Sequence, residues 1–206
     1  MPLTKDELLQ QLRAQPSEAK KQEYLEAVLK KPQSTEVKIS ALVALAELFV
    51  NKKWFALAAR NYCYAADLAS TFREKMDLYF KGAVLYLQAS DYLAAEDNFR
   101  KVLVLAANKD RDSLKQKILA LYLNQATNFE KSRQLTKAIA AYNRILMMKL
   151  PFEKINEIRL KLIELYEKIG KPIEANQIRA QIRRDVEQLE VEKSRAKEEP
   201  TAQEFL

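Results

Sequence analysis

The feature that most constrains this chain is a pattern of small and aromatic residues that occurs three times in the same register. Each copy has a small residue, an aromatic, an aromatic or apolar residue, an alanine, a second aromatic and an apolar or small residue. The copies are Ala46, Phe49, Phe55, Ala58, Tyr62, Ala65; Ala83, Tyr86, Tyr92, Ala95, Phe99, Val102; and Ala126, Phe129, Leu135, Ala138, Tyr142, Ile145. A worn fourth copy is Ile163, Tyr166, Pro172, Ala175, Arg179, Ile182. Intervals of three and four residues predict paired α-helices.

The physical reason for the pattern predicts how the pairs assemble. Two antiparallel helices approach closely where one side chain is small, and aromatic side chains fill the space between neighbouring pairs. A single pair cannot bury its apolar face, so stacking of pairs supplies the core. We therefore predict an all-α solenoid of about four to five antiparallel helix pairs plus a C-terminal helix. The predicted domains are an N-terminal cap (1–34), the repeats (35–182) and a charged C-terminal helix and tail (183–206).

Helix ends are marked in the sequence by capping and breaking residues. Ser17 is a predicted N-cap, Thr71 with Glu74 forms a capping-box pattern, and Gly170 followed by Pro172 predicts a stop and a restart. Pro151 suits a first helical turn. The predicted helices are 5–14, 17–30, 35–50, 54–69, 74–89, 91–107, 112–131, 134–149, 152–169 and 172 onward.

The repeated residues stand at the signature positions of a known family, and the chain resembles the tetratricopeptide repeat family. Ala58, Ala95, Ala138 and Ala175 match its most diagnostic alanine, over residues 35–182. Residues 17–32 match a second-helix fragment through Tyr24, Ala27 and Pro32. The intervals between the four alanines are 37, 43 and 37 residues, longer than the family period of about 34. The resemblance implies a long-period, right-handed solenoid that acts as an adaptor, scaffold or chaperone.

Composition excludes most catalytic machinery. The chain has no His, the single cysteine Cys63 and two distant glycines, Gly82 and Gly170. These counts exclude Ser-His-Asp and Cys-His catalysis, His- or Cys-rich zinc sites and glycine-rich phosphate loops. An enzyme that uses paired carboxylates is also unsupported, because no pair of Asp or Glu residues stands apart from the charges on the helix surfaces. We expect no enzymatic activity, no catalytic residues, no metal and no cofactor.

The N-terminal segment and the apolar runs bear on location. The first residues lack the basic-then-apolar pattern of a signal peptide, and the longest apolar stretch, 39–50, is interrupted by Glu47. That stretch is too short to span a bilayer, which takes about 20 residues. We expect no membrane span and a cytoplasmic location.

The repeat register assigns a candidate partner-binding surface to the first helix of each pair. The positions not used for packing are Val43, Glu47, Phe80, Val84, Leu87, Leu123, Thr127 and Glu130, followed by Leu160, Glu164 and Glu167. This concave groove is apolar in the middle and acidic at its edges, so it suits an extended or helical protein segment with apolar anchors and Lys or Arg flanks. The alternative is that a neighbouring helix or the chain's own tail covers the groove.

The basic excess of the chain is concentrated in one segment. The net charge is +7, and residues 113–151 hold seven basic residues and one acidic residue. The candidate basic patch is Lys115, Lys117, Lys131, Arg133, Lys137 and Arg144, with Lys149 beyond it. It is either a docking patch for an acidic partner or phosphate, or a solvated face. Nucleic acid is disfavoured, because the nearby aromatics Tyr122, Phe129 and Tyr142 are assigned to the core.

These observations favour a non-enzymatic protein-interaction module that binds a partner segment in the concave groove. The alternative is a phosphate- or nucleic-acid-binding helical repeat protein that uses residues 113–151. The C-terminal pattern through Ile178, Ile182, Val186 and Leu189 predicts a helix that caps the last repeat and then becomes polar. A dimerising coiled coil through this helix is an open alternative.

Overall fold

The computed structural model describes residues 3–198, with side chains from residue 3 to residue 194. These residues form ten helices and no strand, which confirms the predicted all-α class. The helices are α1 (Lys5–Arg13), α2 (Glu18–Lys30), α3 (Thr35–Asn51), α4 (Phe55–Leu68), α5 (Phe72–Gln88), α6 (Tyr92–Leu105), α7 (Asn108–Lys131), α8 (Leu135–Leu146), α9 (Phe152–Lys168) and α10 (Pro172–Glu198). The end of the predicted C-terminal segment, 199–206, lies outside the described residues.

The caps explain why the predicted and observed helix ends agree. The Ser17 hydroxyl accepts a hydrogen bond from the Lys20 amide at 3.2 Å, and the Thr71 hydroxyl accepts one from the Glu74 amide at 3.2 Å. Pro172 is the first residue of α10, where a missing amide hydrogen costs nothing. The largest difference is at α7, which begins at Asn108, four residues before the predicted start.

The chain divides into two compact units, Met1–Leu121 and Tyr122–Leu206, and the division falls within α7. Unit 1 contains α1 to α6 and the first part of α7, and unit 2 contains the rest of α7 with α8, α9 and α10. The division into 1–34, 35–182 and 183–206 stays a prediction.

One turn geometry recurs in four helical hairpins. The turns α3–α4, α5–α6, α7–α8 and α9–α10 each contain one residue with a left-handed φ: Lys53 (59°), Ser90 (61°), Arg133 (56°) and Gly170 (73°). In each turn the next amide donates to the carbonyl of an aromatic five residues earlier. The donor–acceptor pairs are Trp54–Phe49 (2.8 Å), Asp91–Tyr86 (2.9 Å), Gln134–Phe129 (2.8 Å) and Lys171–Tyr166 (2.8 Å). This 6→1 bond closes a Schellman-type turn, so the sequence repeat is also a repeat of backbone structure.

The core of unit 1 follows the repeat. The repeat alanines Ala46, Ala58, Ala83 and Ala95 are fully buried. A methyl group at Gly82 on α5 would lie 2.7 Å from Cys63 Sγ and 3.2 Å from the Ala59 carbonyl oxygen on α4. Small side chains therefore set the close approach of neighbouring helices, as the pattern predicted.

The core of unit 2 keeps the alanines but changes one aromatic position. Ala126, Ala138 and Ala175 are fully buried. At the position that holds Tyr62, Phe99 and Tyr142 in the other hairpins, α10 has the exposed Arg179, which forms an ion pair with Glu167 on α9. A second ion pair, Arg159–Asp185 at 2.6 Å, also joins α9 to α10.

The long interval of 43 residues between Ala95 and Ala138 comes from one helix. α7 has 24 residues, whereas α3, α5 and α9 have 17 each. The extra length is therefore about two helical turns in α7, not a longer loop.

The first hairpin departs from the repeat. Of the residues that carry the predicted second-helix match in 17–32, Tyr24 is half-buried and Ala27 is exposed, whereas Leu25 and Val28 are buried. The match therefore does not identify the residues of α2 that enter the core. Thr4 and Glu7 also form a reciprocal capping box at the start of α1 that the sequence reading had not identified.

Candidate functional site

An open cleft of about 970 Å³ lies beside α3 in unit 1. It is built from the start of α1, one face of α3, the α4–α5 connection and the start of α5. The lining residues are Lys5, Leu9, Thr35, Glu36, Ile39, Ser40, Val43, Ala44, Glu47, Leu68, Ser70 and Glu74. The α3 contribution follows helical spacing, so one helix face supplies most of the surface.

The chemistry of the cleft is apolar with an acidic surround. Leu9, Ile39, Val43 and Leu68 supply the larger apolar side chains from three parts of the fold. The acidic lining residues are Glu36, Glu47 and Glu74, and Lys5 is the one basic residue among the lining residues described. Lys5 Nζ lies 3.9 Å from Glu36 Oε1, a partly neutralising contact between exposed groups. The cleft therefore carries a net negative charge that favours cationic groups.

The predicted groove positions of unit 1 do not all line the cleft. Val43 and Glu47 line the cleft. Phe80 and Val84 on α5 are half-buried, and the Phe80 ring packs edge-on against Phe99 with centroids 5.7 Å apart. Leu87 is 3% exposed, so its side chain packs in the interior of unit 1, and we do not include it in a binding surface.

The predicted groove positions of unit 2 are partly used by internal hydrogen bonds. The Thr127 hydroxyl donates to the Leu123 carbonyl at 2.9 Å, and Glu130 accepts a hydrogen bond from the Tyr142 hydroxyl. Burial and the Glu130 carboxylate raise the pKa of Tyr142 to about 12, so the phenol remains a donor at neutral pH. A smaller cleft of about 480 Å³ is lined by Leu160, Ile163, Glu164, Glu167, Arg179 and Ile182.

The predicted basic residues fall into both units. Lys115 and Lys117 belong to unit 1, and Lys115 pairs with Asp112 at 2.8 Å. In unit 2, Lys131 and Arg133 are exposed at the α7–α8 turn, and Lys137 Nζ lies 5.7 Å from the centroid of the Phe129 ring.

The sixth predicted basic residue, Arg144, is half-buried and contacts the Met147 sulfur at 3.8 Å. The exposed basic residues at the α7–α8 turn and in the first turn of α8 are Lys131, Arg133 and Lys137, which we call the basic cluster of unit 2.

The described part of the chain brings together no group of three or more metal-ligating side chains. Cys63 is half-buried, its thiol donates to Asn98 Oδ1 at 3.1 Å, and burial raises its pKa to about 11. A thiol with such a pKa is a poor nucleophile at neutral pH. Across residues 3–198, no helix has the length and apolar character needed to cross a membrane.

Solved structures similar to this chain are known. No family model and no curated protein matches the chain. The chain is similar to the protein in a structure titled "Crystal structure of MamA", at 18% sequence identity and a TM-score of 0.38, over 91% of this chain and 95% of that one. A TM-score below 0.5 carries no argument about function.

Proposed function

We propose that this chain is a non-enzymatic, tetratricopeptide-like protein-interaction module, an adaptor, scaffold or chaperone that binds a partner segment in the α3 cleft. The observation that carries this proposal is the open, apolar, acid-lined cleft around Val43 and Glu47. An enclosed catalytic pocket would bring reactive groups together, whereas this cleft offers an extended contact surface. The free Cys63 thiol suits a reducing, cytoplasmic compartment.

The chemistry of the cleft specifies the partner segment. Apolar side chains of the partner would pack on Ile39, Val43 and Leu68, and Lys or Arg would meet Glu47 and Glu74. The contacts of Lys or Arg with these glutamates lie at the surface, so they contribute to selectivity and association rate more than to affinity. Phe80 and Val84 in unit 1, and Leu123, Thr127 and Glu130 in unit 2, are the remaining proposed contact positions.

The test is selection of random peptides on the immobilised full-length protein, followed by affinity measurement of the enriched peptides. We expect enriched peptides with spaced apolar residues flanked by Lys or Arg. Glu47→Lys should weaken their binding about 10-fold, because it replaces an attraction by a repulsion. Glu187→Lys, an exposed α10 residue with the same charge change, is the matched control. Peptides that bind wild type and Glu47→Lys equally would exclude the α3 cleft.

A second candidate function rests on the basic cluster of unit 2. Lys131 and Arg133 are exposed and, among the described residues, form no ion pair, so they are available to a phosphate group. If they bind single-stranded RNA, the affinity should fall with salt at a log–log slope of about −2, since three cations displace about 0.7 counterions each. The triple variant Lys131→Glu, Arg133→Glu, Lys137→Glu should abolish binding. Absent or salt-independent binding excludes this function.

A further inference from the structure

α4 carries an exposed stripe of large side chains that the repeat does not explain. The stripe is Leu57, Asn61, Tyr64 and Leu68 on α4, preceded by the N-cap residue Trp54, whose ring also contacts Phe49 and Lys52 of its own chain. The successive intervals are three, four, three and four residues. Trp54 is 49% exposed, Leu57 39%, Tyr64 53% and Leu68 39%. Such intervals place side chains in one row along a helix, as in the contact seam of a coiled coil.

The opposite side of α4 is the one that the fold uses. Its buried residues are Ala58, Ala59, Tyr62, Ala65 and Ala66. A surface helix of this kind ordinarily presents polar residues to water. α4 instead presents one aromatic or aliphatic residue per turn, with a single polar residue, Asn61, at the centre of the row.

We propose that this stripe is a homotypic docking surface on which a second copy of the chain places its own α4 in antiparallel orientation. In that arrangement Asn61 meets Asn61 of the second copy at the two-fold axis. Leu57 meets Tyr64 of the second copy, and Trp54 meets Leu68. Leu68 also lines the α3 cleft, so the dimer and a partner segment would both contact this side chain. Both ends of the row then pair an aromatic or large apolar side chain with another, so the row is self-complementary, as a two-fold interface requires.

The charges beside the stripe favour the same occupant. Lys53 lies in the turn just before α4, and Asp67 lies in the last turn of α4, so the two ends of the helix carry opposite charges. Antiparallel pairing places Lys53 of each copy opposite Asp67 of the other, which gives two attractive contacts. Arg60 faces its counterpart near the axis, where its charge also interacts with the Tyr86 hydroxyl on α5 of its own chain.

The amide of Asn61 is suited to the centre of such a seam. Its Nδ2 group donates to the Leu57 carbonyl at 2.8 Å within the same helix, and its Oδ1 atom can accept a bond from the second copy. A buried polar residue at one seam position fixes register and orientation at a cost in stability. The stripe is also short, so we expect a weak, reversible dimer.

The chain contains its own probe for the test, because Trp54 is its only tryptophan and it lies in the stripe. Sedimentation of the full-length protein over a range of concentrations should show a monomer–dimer equilibrium. Trp54 emission should shift to shorter wavelength over the same range. Tyr64→Glu places two carboxylates in the seam and should weaken the dimer at least about 100-fold. Leu93→Glu on α6, where Leu93 is 70% exposed outside the stripe, should dimerise as wild type does.

Circular dichroism should first show that Tyr64→Glu and Leu93→Glu are folded, before their dimerisation is compared. A monomer at every concentration, or Tyr64→Glu dimerising with wild-type affinity, overturns the proposal. The double variant Val186→Glu, Val191→Glu tests the alternative interface through α10. Loss of the dimer in that variant together with its retention in Tyr64→Glu would assign self-association to α10.

Discussion

Two hairpins of unit 1, α3–α4 and α5–α6, have the same turn geometry and the same buried alanine as the hairpin α9–α10 of unit 2. They differ in the residue four positions after that alanine. In unit 1 the residues after the alanines are the buried aromatics Tyr62 and Phe99. In α10 the corresponding residue is the exposed Arg179, paired with Glu167. The same helical repeat is thus stabilised by aromatic packing in unit 1 and by ion pairs between α9 and α10 in unit 2.

The difference shows which signature positions are structurally essential. The alanine is retained in all four hairpins because any larger side chain would separate the helices. At the aromatic position of α10 the charged residue Arg179 is tolerated, and it pairs with Glu167. Buried apolar area stabilises far more than an exposed ion pair, so the two regions should differ strongly in their response to mutation.

The largest expected effect is at Phe99 in unit 1. Phe99→Ala removes a buried ring that packs against Phe80, and it should lower the free energy of unfolding of unit 1 by about 3–5 kcal/mol. Urea unfolding followed by Trp54 fluorescence reports on unit 1 alone. A loss below about 1 kcal/mol would show that unit 1 does not depend on its aromatics.

Next in size is overpacking at Ala95, which is fully buried between paired helices. Ala95→Leu should cost about 1–3 kcal/mol in the free energy of unfolding, because the added side chain forces the helices apart. Ala180→Leu, at an exposed position of α10, is the matched control and should be near neutral. Equal stability of Ala95→Leu and wild type would mean that the repeat register is misassigned.

The turns allow a comparison of backbone strain between the two regions. An added Cβ at Gly170 would meet no atom within 4 Å, so Gly170→Ala isolates the strain of a left-handed φ. We expect this variant to lower the free energy of unfolding, measured by thermal denaturation, by about 1 kcal/mol. Ser90→Gly, at the same turn position of α5–α6, should raise the free energy of unfolding by up to about 1 kcal/mol. A shift of the same sign in both variants would contradict the shared turn geometry.

The smallest expected effect is at Arg179, the counterpart of Phe99. Arg179→Ala breaks an exposed ion pair and should cost less than about 1 kcal/mol, measured by hydrogen exchange of α9 and α10. The cost should decrease further in high salt, whereas that of Phe99→Ala should not. An equal cost at the two positions would remove the distinction between the two kinds of hairpin.

Much of the fold was predictable from sequence because its signals are local. Ser17, Thr71 and Gly170 mark helix ends through their own backbone requirements, and the alanine intervals mark the close contacts. The register of α2 was not predictable in this way. The repeat does not extend to the first hairpin, and which face of α2 is buried depends on how α1 and α3 pack around it.

The candidate site was predictable only in part. Val43 and Glu47 were identified because the register places them on the free face of α3. The contribution of Lys5 and Leu9 required the tertiary placement of α1, which no repeat position encodes. The burial of Leu87 and the exposure of Tyr64 likewise depend on neighbouring helices, so spacing alone did not reveal them.

The recurring 6→1 turn also separates the places where the chain tolerates length changes from those where it does not. One residue inserted among 52–54 would break the bond between the Trp54 amide and the Phe49 carbonyl and turn α4 out of phase with α3. The segments between hairpins carry no such constraint, and they already differ, from two residues before α7 to five before α9. Evolutionary insertions, purification tags and loop grafts should therefore be accommodated at 147–151 and rejected at 52–54, 89–91 and 132–134.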